Sequence, residues 1–123
     1  PMTESWIRDA ACNCGSLRLS CAAPPLRVSI CHCLACQRRT GSVFAANARF
    51  PKDAVTITGT VAHWTRTGDE GGRSRFGLCP TCGATVFGQS ESVPDQILVA
   101  VGAFADPGFP APRISIYEDR AHV

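Results

Sequence analysis

The chain has 123 residues, an apolar share of 45%, a charged share of 18% and a net charge of +2. Its length is that of one domain with a real core. Eleven arginines and one lysine are scattered along it, too weak and too dispersed a charge to argue for nucleic acid. No apolar run is long enough for a membrane span, and no secretory leader is visible at the start. Pro1 precedes Met2, and Met2 is read as the native start.

Alternating apolar residues predict strands along most of the chain. Residues 5–11 suit a first strand that runs into Cys12-Asn13-Cys14-Gly15, where the glycine permits a turn with positive φ. Over residues 15–23, Leu17, Leu19 and Cys21 share one face, with Ser16, Arg18 and Ser20 on the other. Cys21 therefore reads as a small buried hydrophobe and not as a ligand. Pro24-Pro25 breaks the chain, and residues 26–31 read as the second strand of a hairpin.

Residues 34–40 predict a short helix ended by Gly41. A buried strand over 43–50 and a turn at 50–53 follow. Strands over 55–58 and 61–66 flank Gly59-Thr60, the pattern of a tight hairpin. Residues 68–72 read as a flexible loop and 73–78 as a strand. Residues 84–88 leave the Cys79-Pro80-Thr81-Cys82-Gly83 turn as another strand. Residues 97–101 form a central strand, 107–112 are irregular, and 113–117 form the last strand. Helical periodicity is nearly absent. The class is all-β: short antiparallel sheets with at most one or two helical turns.

Eight cysteines in such a chain require an explanation. A secreted disulfide framework is the plain alternative. The Cys-x-Cys and Cys-x-x-Cys spacings, however, put thiols too close for good cross-links within a pair and well for sharing one ion. Metal binding, and with it a reducing, cytoplasmic setting, is the reading adopted. Cys12 and Cys14 offer two ligands, and the knuckle of Cys79 and Cys82 offers two more. Together they make a closed site of four thiolates.

Cys31, Cys33 and Cys36 remain, three thiolates with no evident fourth. An open, reactive zinc site is favoured. The alternatives are a second closed site completed by Cys21 or a histidine, or three free thiols. His32 lies between two ligands and, in extended chain, points away from both. His63, beside Trp64, and His122, near the end, are weaker candidates. Zinc with three thiolates carries a formal charge of about −1, which blunts its Lewis acidity and disfavours hydrolysis. A soft fourth ligand, an incoming thiol, is welcome there, so the pattern points to thiol chemistry.

Cys12-Asn13-Cys14-Gly15, the run Cys31-His32-Cys33-Leu34-Ala35-Cys36-Gln37-Arg38-Arg39-Thr40-Gly41-Ser42-Val43-Phe44, Phe50-Pro51-Lys52-Asp53-Ala54 and Cys79-Pro80-Thr81-Cys82-Gly83 together resemble the glutathione-dependent formaldehyde-activating enzyme family, which includes centromere protein V. The resemblance runs from about Ala11 to Tyr117 and implies one domain with a β-tent fold. It implies a structural zinc on Cys12, Cys14, Cys79 and Cys82 and a second zinc on Cys31, Cys33 and Cys36, two per chain.

The implied activity is that of a carbon–sulfur lyase joining glutathione to formaldehyde to give S-hydroxymethylglutathione. The second zinc is expected to take the glutathione sulfur. Carried onto this chain, Arg38 or Arg39 is a candidate for holding a glutathione carboxylate, against the plainer reading of a solvated pair. Gly41-Ser42 is a candidate donor to the nascent alkoxide. The rival readings are the same open site serving another small thiol or aldehyde, and a zinc-stabilised binding module without catalysis. The absence of a basic run beyond Arg38-Arg39 counts against the module.

Overall fold

A computed structural model describes residues 7–68 and 71–123. Positions 5 and 6 of the expected first strand, the Pro1-Met2 start and positions 69–70 of the expected loop lie outside the described residues. The strands are β1 (Ile7–Ala11), β2 (Leu17–Ala22), β3 (Arg27–Cys31), β4 (Ala45–Pro51), β5 (Val55–Gly59), β6 (Ala62–Thr67), β7 (Arg73–Leu78), β8 (Thr85–Ser90), β9 (Gln96–Ala100) and β10 (Ile114–Ile116). One α-helix, α1 (Leu34–Thr40), stands between β3 and β4, and short 3-10 turns occupy Lys52–Ala54, Val101–Phe104 and Glu118–Arg120. The chain is all-β apart from these turns. Among the described residues no helix is long and apolar enough to cross a membrane.

Two sheets form, a small one in the order β1-β2-β5 and a large one in the order β10-β3-β4-β9-β8-β7-β6. β9 is central, as its apolar run predicts; Ile97 and Val99 are buried. Three expectations fail. The segments around Pro24-Pro25 do not make a hairpin, because β2 pairs with β1 and β5 whereas β3 pairs with β4 and β10. The prolines, without N–H donors, carry the chain from one sheet to the other. Nor do β5 and β6 pair across Gly59-Thr60: β5 joins β2 and β6 joins β7. Gly59 has φ +99°, and a Cβ there would lie 1.8 Å from the Ser16 carbonyl oxygen. Its glycine serves a close backbone approach between strands, a use that the sequence cannot separate from a hairpin turn.

The third departure is β10, which pairs with β3 in parallel. A parallel neighbour needs a long crossover, and residues 101–113 supply it. β10 thereby covers an edge of the large sheet, and the His32 N–H donates to the Ile116 carbonyl at 3.0 Å.

The core lies between the sheets. Leu17, Leu19 and Cys21 of β2 pack with Ala48 and Phe50 of β4, Val86 and Phe87 of β8, and Ile97 and Val99 of β9. Each buried leucine or phenylalanine there contributes about 1.5–3 kcal/mol. Cys21 is fully buried, and burial pushes its thiol up to about 11. Phe76 of β7 lies across Gly88 of β8, where a Cβ would come within 2.9 Å of the ring.

Replacing Gly41 by alanine should cost about 1 kcal/mol, since its φ of +71° is strained for alanine but nothing lies within 4 Å. Gly59→Ala should cost about 3 kcal/mol or more, because the same strain adds to an overlap with backbone. Denaturant melts of metal-replete protein compare the two, and equal losses would contradict this account of Gly59.

Candidate metal centres

The first cysteine group forms where two turns meet. Cys12 follows β1, and the turn closes with the Gly15 N–H donating to the Cys12 carbonyl at 3.1 Å. Cys79 and Cys82 sit on a matching turn after β7, closed by the Gly83 N–H on the Cys79 carbonyl at 2.8 Å. The four sulfurs all lie within 4.8 Å of one another, Cys12 to Cys14 at 3.7 Å and Cys14 to Cys79 at 3.6 Å. Sulfurs arranged tetrahedrally about 2.3 Å from one ion would stand about 3.8 Å apart. All eight cysteines are free.

Donors surround this group. The Leu17 N–H reaches the Cys12 sulfur at 3.2 Å, and the Thr81 and Cys82 N–H groups reach the Cys79 sulfur at 3.4 Å each. The Ser16 hydroxyl, which the sequence reading passed over, stands 3.1 Å from the Cys79 sulfur and 3.2 Å from that of Cys14. Ser16 and the Cys82 and Thr81 N–H groups hold the Cys79 thiol down to about 5. The only signal for Ser16 was its place behind the turn glycine.

The second group is local. Cys31 ends β3, Cys33 is the N-cap of α1, and Cys36 lies on its buried side. A sulfur takes the capping role usually filled by a side-chain oxygen, accepting from the Cys36 N–H at 3.4 Å. Arg38 and Arg39 in the last turn suit the helix dipole, and Gly41 closes it in the left-handed conformation. The three sulfurs lie within 4.8 Å of one another and all three residues are buried. Cys36 is pushed well above the ordinary thiol range by its hydrogen bond to Cys31 and by burial, and the same bond lowers Cys31.

This trio forms one wall of a cleft of about 190 Å³, which Arg66, Ser74, Ser90 and Tyr117 also line. In a flat sheet β3 and β7 would stand about 19 Å apart, four strand spacings, so the large sheet curls to bring both to one cleft. Tyr117 has φ +56°, a left-handed backbone at a non-glycine residue, and packs against the trio. Gln37 ties the end of the chain to this loop: its Nε2 donates to the carbonyls of His32 (2.9 Å) and Arg120 (3.0 Å), and its Oε1 lies 3.0 Å from His122 Nε2.

The other residues singled out from sequence are placed as follows. Cys21 belongs to neither group. His32 points away from the trio, its Nε2 at 3.0 Å from Ser115 Oγ. His63 sets its edge on Phe87. Arg39 stacks 4.4 Å over the Phe76 ring with Nη2 4.0 Å from the Cys36 sulfur. Arg38 and Ser42 are exposed and do not line the cleft. Arg66, Ser74, Ser90 and Tyr117 were not foreseen, since only strand pairing brings them to the trio.

Because the Cys79 thiol is lowered from 9.0 to about 5 in the folded chain, its contribution to the stability of metal-free protein is complete above about pH 9 and fades as pH falls toward 5. Ser16→Ala should flatten the fall of Tm across that window and make the chain surrender metal to a chelator at a higher pH. Unchanged Tm and metal-release profiles would remove Ser16 from this role.

The profile of the glutathione-dependent formaldehyde-activating enzyme family matches residues 7–120. A Penicillium rubens protein that carries the family's name is 30% identical over 86 residues, covering 63% of this chain and 44% of its own length. The chain thus spans less than half the length of that curated relative. Among solved structures, a Rhodobacter sphaeroides protein superposes with a TM-score of 0.63 over 87% of this chain and 98% of its own, at 20% identity, a likeness of fold. With the family match running from β1 through both cysteine groups to the last 3-10 turn, the chain belongs to the glutathione-dependent formaldehyde-activating enzyme family.

Proposed function

We propose that the chain is a zinc-dependent carbon–sulfur lyase that joins glutathione to formaldehyde to give S-hydroxymethylglutathione. Cys31, Cys33 and Cys36 would hold the reactive zinc, and Cys12, Cys14, Cys79 and Cys82 a structural one. The observation that carries this reading is the contrast between the groups: four sulfurs close on one another, whereas three converge at the wall of a cleft. The donor sets fit zinc, which takes thiolate sulfur in tetrahedral array. A zinc ion held by Cys31, Cys33 and Cys36 would supply the positive charge that favours the thiolate form of an incoming thiol.

The chain's own residues do the rest. The Arg39 guanidinium, 4.0 Å from the Cys36 sulfur, offsets the negative charge of the trio. The cleft, about 190 Å³, admits a cysteinyl side chain and a one-carbon aldehyde. Arg38 and Ser42, exposed and outside the cleft lining, are proposed as contacts for the part of the tripeptide that extends beyond it. A sulfur electron pair forms the new bond to the carbonyl carbon. The carbonyl π pair moves to oxygen, and that oxygen takes the proton the thiol gave up. Ser74, which lines the cleft, is the proposed donor to the oxygen as its charge develops. Eight free thiols suit a reducing, cytoplasmic setting, which belongs to the same proposal.

Exchange between free glutathione plus formaldehyde and their adduct, followed by NMR, tests the proposal. Protein with two zincs per chain should raise the exchange rate well above background. Cys31→Ser should lose that acceleration and one zinc while keeping the other. No acceleration with both zincs bound would overturn the reaction; acceleration with another small thiol alone would reassign the substrate.

A further inference from the structure

We propose that Arg66 is the residue that selects a thiol bearing a carboxylate at the cleft of Cys31, Cys33 and Cys36. The inference rests on the reading above, that this cleft takes a thiol. Among the residues that line it, Arg66 is the one cation. It pairs in register with Ser74 of β7, and Ser74 pairs with Ser90 of β8. Arg66, Ser74 and Ser90 therefore stand in one row on one face, about 4.8 Å from strand to strand. This row lines the cleft opposite the sulfurs, with the Ser90 hydroxyl held by Ser92 at 2.8 Å.

Arg66 is half-buried and has no carboxylate partner among the described residues; the ion pairs there are Arg73–Glu91 at 3.6 Å and Arg120–Asp119 at 3.5 Å. Arg39, also near the trio, is stacked on Phe76 with its Nη2 4.0 Å from the Cys36 sulfur, and so is committed to the sulfur wall. The planar fork of Arg66 matches a carboxylate in bidentate fashion.

The charge balance favours a carboxylate over a phosphate. Among the described residues that line the cleft, one cation matches a single negative charge, and the thiolates opposite repel a second. In a tripeptide thiol such as glutathione, the C-terminal carboxylate lies one residue beyond the cysteinyl unit, within about 7 Å of extended chain. Sulfur at the trio and carboxylate on Arg66 are thus ends of one short ligand spanning one cleft.

The test separates carboxylate recognition from thiol chemistry. S-methylglutathione keeps the carboxylates and lacks the thiol. Calorimetry with two-zinc protein should show it binding to the unsubstituted chain and about 10- to 100-fold more weakly to Arg66→Gln. Arg66→Lys should fall between, since an ammonium restores charge without the fork. In formaldehyde exchange, the preference for glutathione over 2-mercaptoethanol should drop by a similar factor in Arg66→Gln.

Equal binding of S-methylglutathione by both chains, no binding by the unsubstituted chain, or an unchanged preference would overturn the proposal. If Arg66→Gln does not fold with two zincs, Arg66→Lys decides, and binding equal to the unsubstituted chain overturns it. Failure of the unsubstituted chain to accelerate any exchange would sink the lyase reading, and the S-methylglutathione comparison would still judge Arg66.

Discussion

Two turns more than sixty residues apart, at Cys12/Cys14 and at Cys79/Cys82, bring four sulfurs within 4.8 Å of one another, and the packing of the two sheets depends on that meeting. Cys12 follows β1 of the small sheet; Cys79 follows β7 of the large one. Joining them fixes how Leu17 and Leu19 face Val86, Val99 and Phe50. Four thiolates at this spacing repel one another without a cation among them. Backbone N–H groups and the Ser16 hydroxyl offset part of that repulsion. A metal ion would offset the remainder, and its binding energy would then become folding energy.

The two cysteine groups use the same atom type to different ends, and their surroundings make the difference. Around Cys79 the donors are fixed N–H groups and a hydroxyl within 3.4 Å, directed at the sulfur. Around the trio one N–H reaches Cys33 and one guanidinium approaches Cys36, while a cleft opens on the remaining side. Four sulfurs complete a tetrahedral donor set, although Cys14 and Cys82 are exposed; three buried sulfurs leave that set one short, beside a cleft.

Much of this could be read from the residues because the signals were local. Cysteine spacing picked out the short-range pairs and the trio, and the fold then brings Cys12 and Cys14 to Cys79 and Cys82. The helix over 34–40 followed from its bounding Gly41, and the fate of Cys21 from its parity with Leu17 and Leu19. Strand pairing was not local and was misread where one residue type serves two purposes. Gly59 permits a hairpin turn or a contact with Ser16, and only the register of β2 with β5 decides between them. For the same reason the far wall of the cleft stayed hidden: Arg66, Ser74, Ser90 and Tyr117 meet the trio only after the sheet has curled.

The parallel docking of β10 on β3 bears on the order in which the molecule is completed as it leaves the ribosome. The trio spans six residues and can gather as soon as residue 36 has emerged. The four-sulfur site must wait for residue 82. The cleft acquires its last wall only when Ile116 accepts the His32 N–H and Gln37 takes hold of Arg120 and His122. Three thiols that will end buried against Tyr117 thus stay uncovered until Tyr117 has been made. The three-sulfur group can gather before the four-sulfur group and is enclosed after it.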